Sequence, residues 1–130
     1  MNVPRRRRHR FSREEFEDLV ARALEGLPER FLDRLDNVVI QVEDEPSRDQ
    51  LEQQDMGPGM TLLGLYEGVP LTDRGNYQPV LPDRITLFQL PIERTCRTRE
   101  EIVEQVRDTV VHEVAHYFGI DDDRLDELGL

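Results

Sequence analysis

A chain of 130 residues has the length of one domain, able to bury roughly 65–70% of its unfolded surface. Only 37% of the residues are hydrophobic and 35% are charged, with five Phe, three Tyr and no Trp, so a small aliphatic core is expected. No run reaches the roughly 18 apolar residues of a membrane span, and the single Cys96 excludes an internal disulfide and a cysteine-based structural zinc site.

The net charge of −11 is unevenly placed. All 17 basic residues are arginine, and Arg5, Arg6, Arg7, Arg8, Arg10 and Arg13 fall in the first 13 positions, which hold no acid. The other 117 residues carry 11 Arg against 28 acids, a net of −17. Such a body repels phosphate backbones, so nucleic acid is expected as a partner only through the arginine arm. Residues 1–11 read as a basic arm, expected to be disordered, and residues 12–130 as a single domain. The arm has the paired arginines of an export signal, but an amphipathic helix follows where an apolar stretch would be needed. A cytoplasmic location is therefore expected, with Cys96 a buried filler in a reducing compartment.

In chain order, Ser12 and Glu15 form a capping box, and Phe16, Leu19, Val20, Ala23, Leu24 and Leu27 follow at helical spacing. Pro28 ends or kinks that helix, and Phe31, Leu32 and Leu35 indicate a further short turn. Residues 37–44 are β-branched and alternate as a strand. Residues 45–60 are polar, with Pro46, Gly57, Pro58 and Gly59, and read as a loop. A second strand is expected over residues 61–68, a long turn-rich stretch over 69–83, and a third strand over 84–90 between Pro82 and Pro91. Thr98 with Glu101 is another capping box, opening the longest helix at about Arg99. Ile102, Val103, Val106, Val110, Val114 and Phe118 mark its buried face, and Gly119 is its stop. The layout is α+β: a short three- to four-stranded sheet packed on an N-terminal helix and a C-terminal helix.

His112, Glu113 and His116 spell H-E-x-x-H near the end of that last helix. Positions i and i+4 lie one turn apart on one face, so both imidazoles can reach one tetrahedral zinc. Glu113 points elsewhere, toward a water activated by the metal, and suits a general base. The alternative is that both histidines are polar positions beside a core face that offset the helix dipole. Gly119 then lets the chain turn, and Asp122 follows, completing H-E-x-x-H-x-x-G-x-x-D. Asp122 is the preferred third ligand, with Asp121, Asp123, Asp126, Glu127 or a residue upstream of the motif as alternatives and a solvated acidic cap as the bland reading.

"HEVAHYFGIDDDRLDELG", with "LLGLYEGVPLTDRG" and "LPDRITLFQLPIER" upstream, resembles the small bacterial zincin-like metallopeptidases, or minimal zincins. The resemblance implies an α+β zincin-like fold, zinc held by His112, His116 and Asp122, Glu113 as base, and a peptide or protein substrate with no membrane partner. In the glycine and the ligand spacing the chain is also similar to the larger metzincins. It departs from them in having Asp as third ligand and in lacking a methionine turn, since Met1, Met56 and Met60 all precede the motif.

In the peptidase reading, a substrate strand adds to a sheet edge, for which residues 84–90 are the candidate. Tyr66, Tyr77, Tyr117 and Arg94 are candidates for stabilising the oxyanion. Two rivals stand beside it. The spacing of His112, His116 and Asp122 matches the three histidine ligands of small bacterial endoribonucleases of ribosomal RNA maturation. A zinc-binding interaction module without turnover is the other.

Overall fold

The structure, a computed structural model, describes residues 9–56, 61–68 and 81–130, without the side chain of Asp122. Helix α1 (Arg13–Glu25) starts from the expected capping box: Ser12 Oγ accepts the Glu15 amide, and the Glu15 carboxylate accepts the Ser12 amide, both at 3.0 Å. After Pro28 come helix α2 (Glu29–Leu32) and a 3₁₀ turn (Asp33–Leu35), which sink Phe31 fully into the core. Strand β1 (Val38–Glu43) follows, then helix α3 (Arg48–Gln53) inside the stretch expected to be loop. Its start is a third capping box, Ser47 with Gln50.

Strand β2 (Gly64–Glu67) lies within the expected second strand, and β3 (Asp83–Phe88) is the third. The chain then passes directly into helix α4 (Gln89–Thr95), which the sequence pattern did not reveal. Pro91 falls in the first turn of α4, where its missing N–H would have had no helical partner anyway. Helix α5 (Arg99–Phe118) begins at the Thr98–Glu101 capping box and ends at Gly119, which is left-handed at φ 66°. Helix α6 (Asp122–Glu127) follows. Residues 57–60 and 69–80, which include Tyr77 and most of the expected turn-rich stretch, lie outside the described residues.

Among the described residues the sheet has three strands in the order β1-β3-β2, with β1 parallel and β2 antiparallel to β3. The expectation that residues 84–90 form an edge is corrected: β3 is paired on both sides, and Ile85, Thr86, Leu87 and Phe88 are all fully buried. Thr86 made the segment look half-exposed, but its hydroxyl accepts the Gln41 side-chain amide at 3.0 Å, so the polar group is satisfied inside. The core-facing rows, Ile40–Ile85–Tyr66 and Val42–Leu87–Gly64, meet α1 and α5. Phe16, Leu19, Val20 and Ala23 of α1 pack there with Ile102, Val106, Val110 and Val114 of α5, an i, i+4, i+8, i+12 stripe fully out of water. Each such side chain stabilises the fold by roughly 1.5–3 kcal/mol, which offsets the modest helix propensity of valine. Phe118, expected to continue this face, is instead exposed at the end of α5.

The last residues of the arginine arm are tied to this body. His9 Nε2 meets Asp44 at 2.8 Å, and the Arg10 amide donates to the Glu93 carboxylate at 2.8 Å. The Arg10 guanidinium reaches the carbonyls of Glu93 and Cys96, and Gln89, fully buried, donates to both Phe11 O and Glu93. The nearly buried Glu93 carboxylate is thus fully engaged. Cys96 itself is buried at the end of α4, as the filler reading expects. No helix among the described residues is long and apolar enough to cross a membrane.

Candidate active site on helix α5

Helix α5 has a polar line as well as a buried one. Glu104, Asp108, His112 and His116 follow one another at i+4 spacing, all exposed, so the two histidines continue the solvent face of the helix. They stand one turn apart, a spacing from which two imidazoles can reach one metal. Glu113 sits off that line, half-buried, on the side that meets β2.

The contact between α5 and β2 is a matched register. Thr109, Glu113 and Tyr117 recur every four helical residues, about 6 Å, while Gly64 and Tyr66 of β2 and Gly68 just past its end recur every two residues, about 6.7 Å in extended chain. A Cβ on Gly64 would come within 2.6 Å of the Thr109 methyl, and one on Gly68 would collide with the Tyr117 hydroxyl. The glycines therefore let the helix lie close against the strand. Between them, the Tyr66 backbone N–H leaves the sheet and donates to Glu113 Oε1 at 3.0 Å. The Tyr66 hydroxyl donates to Asp83 Oδ2 at 2.6 Å, fixing the ring from its other end.

Electrostatics follow from this placement. Burial raises the proton affinity of Glu113 above the usual carboxylate range, and the Tyr66 amide and the nearby His116 and His112 only partly counter it. Burial likewise pushes the Tyr66 phenol up, helped by its hydrogen bond to Asp83 and by the Asp83 charge. Tyr66 is thus a neutral, anchored ring rather than a free donor. Of the other oxyanion candidates, Arg94 pairs with Glu45 at 3.0 Å and Tyr77 lies outside the described residues, while Tyr117 is half-exposed beside Glu113.

The acidic cluster divides by task. Asp121 caps α6, its Oδ1 accepting the Arg124 amide at 2.9 Å, and Glu127 pairs with the Arg124 guanidinium at 2.6 Å. Asp126 lines a cavity of about 430 Å³ with His112 and Asp108. Asp123 is exposed. The Asp122 backbone opens α6 three residues after the left-handed Gly119, and its side chain is outside the described residues. Among the described residues no three His, Cys, Asp or Glu side chains already form a metal-holding group. The donors fit zinc in kind: two imidazoles one turn apart, carboxylates just beyond the turn, and a half-buried carboxylate at their side.

What sequence reasoning missed here is the partner of Glu113. Tyr66 stands 47 residues away, and no local pattern links them. The signal was present in "GLYEG", because glycine inside a strand marks a place where another backbone comes close.

Fold and site together define a small α+β domain with a histidine-bearing helix packed against strand β2. The family model for zincin-like metallopeptidases matches residues 35–130, and the chain belongs to that family. No curated protein matches it. Among solved structures it is similar to a conserved hypothetical protein from Thermo thermophilus, at 23% identity and a TM-score of 0.56, over 83% of this chain and 94% of that one. That likeness bears on the fold alone.

Proposed function

We propose that the chain is a zinc-dependent metallopeptidase in which His112, His116 and Asp122 hold the metal and Glu113 is the general base. Family membership supports metallopeptidase chemistry. The single observation that carries the assignment of the base is the half-buried Glu113 carboxylate, held by the Tyr66 amide beside two exposed histidines. Zinc bound there supplies Lewis acidity, lowering the pKa of water and polarising the scissile carbonyl.

The protein's own part begins with Glu113. The Tyr66 amide fixes Oε1, which leaves Oε2 to take a proton from the attacking water and pass it to the leaving amine. A carboxylate whose proton affinity is raised by burial is better matched to that transfer at neutral pH than an exposed one. The substrate is a peptide or protein segment laid antiparallel along β2, which of the two outer strands among the described residues is the one that meets α5.

The test uses full-length chain purified without chelator. Elemental analysis should find about one zinc per chain, and an unbiased peptide library should be cleaved, with cleavage lost on chelation and restored by zinc. Folded protein that takes up no zinc overturns the metal assignment. Zinc-loaded protein that cleaves no peptide overturns the peptidase.

A further inference from the structure

The chain has eight aromatic residues, five Phe and three Tyr. Phe16, Phe31, Phe88 and Tyr66 are buried, and Phe11 is partly buried against the core. Tyr117 and Phe118, side by side at the end of α5, are instead 47% and 46% exposed. A sequence this poor in large apolar groups leaves two of them in water together, next to its candidate base.

The two rings join a third to make one surface. Tyr117 stacks on Tyr66 with centroids 4.0 Å apart, Phe118 meets Tyr117 edge-on at 5.1 Å, and Phe118 meets Tyr66 at 5.8 Å. The inner ring cannot move freely, being buried and bonded to Asp83 through its hydroxyl. The outer rings therefore rest on a fixed support, a preorganised apolar shelf rather than two loose side chains. Tyr117 also lies one helical turn, about 5.4 Å, beyond Glu113 on the β2 side. At about 3.3 Å per residue of extended peptide, that spans one to two residues of a strand running beside β2.

We propose that Tyr117 and Phe118 form a specificity subsite that receives a large apolar side chain of the substrate, aromatic or long aliphatic, within two residues of the scissile bond. The inference rests on the peptidase reading and adds the substrate class to it. The surrounding charge narrows that class. Asp121, Asp123, Asp126 and Glu127 follow the shelf, with Arg124 as their only basic neighbour in α6, so acidic peptides are repelled. The substrate is an apolar-centred peptide, neutral or basic.

Two measurements test it. In the first, the zinc-loaded wild type is profiled on a peptide library, and kcat/KM is compared for matched peptides carrying Phe, Leu, Ala, Arg or Asp at each position near the cleaved bond. One position should favour Phe and Leu over Ala by about tenfold and disfavour Asp. Tyr117→Ala with Phe118→Ala should bring the Phe-to-Ala ratio at that position close to one. Cleavage without an apolar preference, a preference for Arg or Asp, or a ratio unchanged in the double variant overturns the shelf while leaving the peptidase standing. The second measurement needs no turnover: ring-proton shifts of Tyr117 and Phe118 on titration with N-acetyl-phenylalaninamide and with N-acetyl-alaninamide. The phenylalanine probe should bind about tenfold more tightly and move both rings. Rings that do not respond overturn the shelf even if the chain cleaves nothing, the result that would sink the peptidase instead.

Discussion

Residues 99–111 and 112–118 belong to one helix, α5, but obey different rules. In the first part burial follows chemistry: Ile102, Val103, Val106, Val110 and Val111 are buried and Glu100, Glu104 and Asp108 face water. Its polar exception, Thr109, is satisfied within the helix, its hydroxyl donating to the Gln105 carbonyl at 2.7 Å. In the second part Val114 and Ala115 stay buried, but their neighbours Glu113, Tyr117 and Phe118 depart from the pattern. A carboxylate is half-buried and two aromatic rings are half-exposed. The first arrangement stabilises the fold and the second costs it stability, the usual mark of a segment shaped by its site. The difference yields a sharp expectation: substitutions in the two parts should move different measurements.

The largest effect falls on Glu113. Glu113→Gln keeps the size and the acceptor for the Tyr66 amide but removes basicity, so peptide hydrolysis should fall about 10²–10⁴-fold at unchanged zinc content and unchanged fold. The pair of assays that decides is a peptide library and single-stranded RNA, on both proteins at matched zinc. RNA cleavage that survives the substitution, with no peptide cleavage by either protein, would replace the peptidase with the nuclease of the same ligand spacing. Ile102→Ala, near the other end of the helix, should do the reverse. Its side chain is fully buried, so stability should drop by about 2–5 kcal/mol while zinc content per folded chain stays the same. If Ile102→Ala lowered zinc affinity as much as stability, the two parts of α5 would not be separable.

The sequence made the first part easy to read and the second only partly so. Local rules set the start of α1 and α5, and the Ser12–Glu15 and Thr98–Glu101 boxes form as their spacing requires. The same rule was available for α3 at Ser47–Gln50 but was outweighed by the polarity around it. Helix α4 was hidden because Pro91 reads as a stop unless the helix is known to begin two residues earlier. The central place of β3 and the bond from Tyr66 to Glu113 are long-range facts, decided by packing. The one-turn spacing of the two histidines and the helix stop at Gly119 were legible because both depend on local helical geometry alone.

Gly119 offers a smaller test of where the two regimes end. Its φ of 66° suits glycine, and a Cβ there would meet nothing within 4 Å, so Gly119→Ala adds backbone strain without a clash. The expected cost is about 1–2 kcal/mol, read as a fall of a few degrees in Tm. If α6 is what brings the third ligand back toward the histidines, zinc affinity should fall as well. An affinity unchanged beside a lowered Tm would place the third ligand elsewhere than after this turn.

The smallest effect is a gain, visible only without metal. Burial raises the proton affinity of Glu113 in the folded chain above its value in the unfolded chain. A group shifted in that direction contributes stability that is complete below the unfolded carboxylate pKa and is lost as pH rises through the folded value. Metal-free wild type therefore carries a penalty at neutral pH that Glu113→Gln, which cannot ionise, avoids. Chelator-treated samples of both proteins, melted at about pH 4 and about pH 8, should differ little at the lower pH and more at the higher, with the variant melting later. The difference will be modest, because the carboxylate is only half-buried and solvent screens part of its charge. A wild type that gains on the variant as pH rises would mean that the Tyr66 amide and the two histidines outweigh burial. Glu113 would then be an ordinary stabilised carboxylate, and its departure from the pattern at this end of α5 would lose its energetic cost.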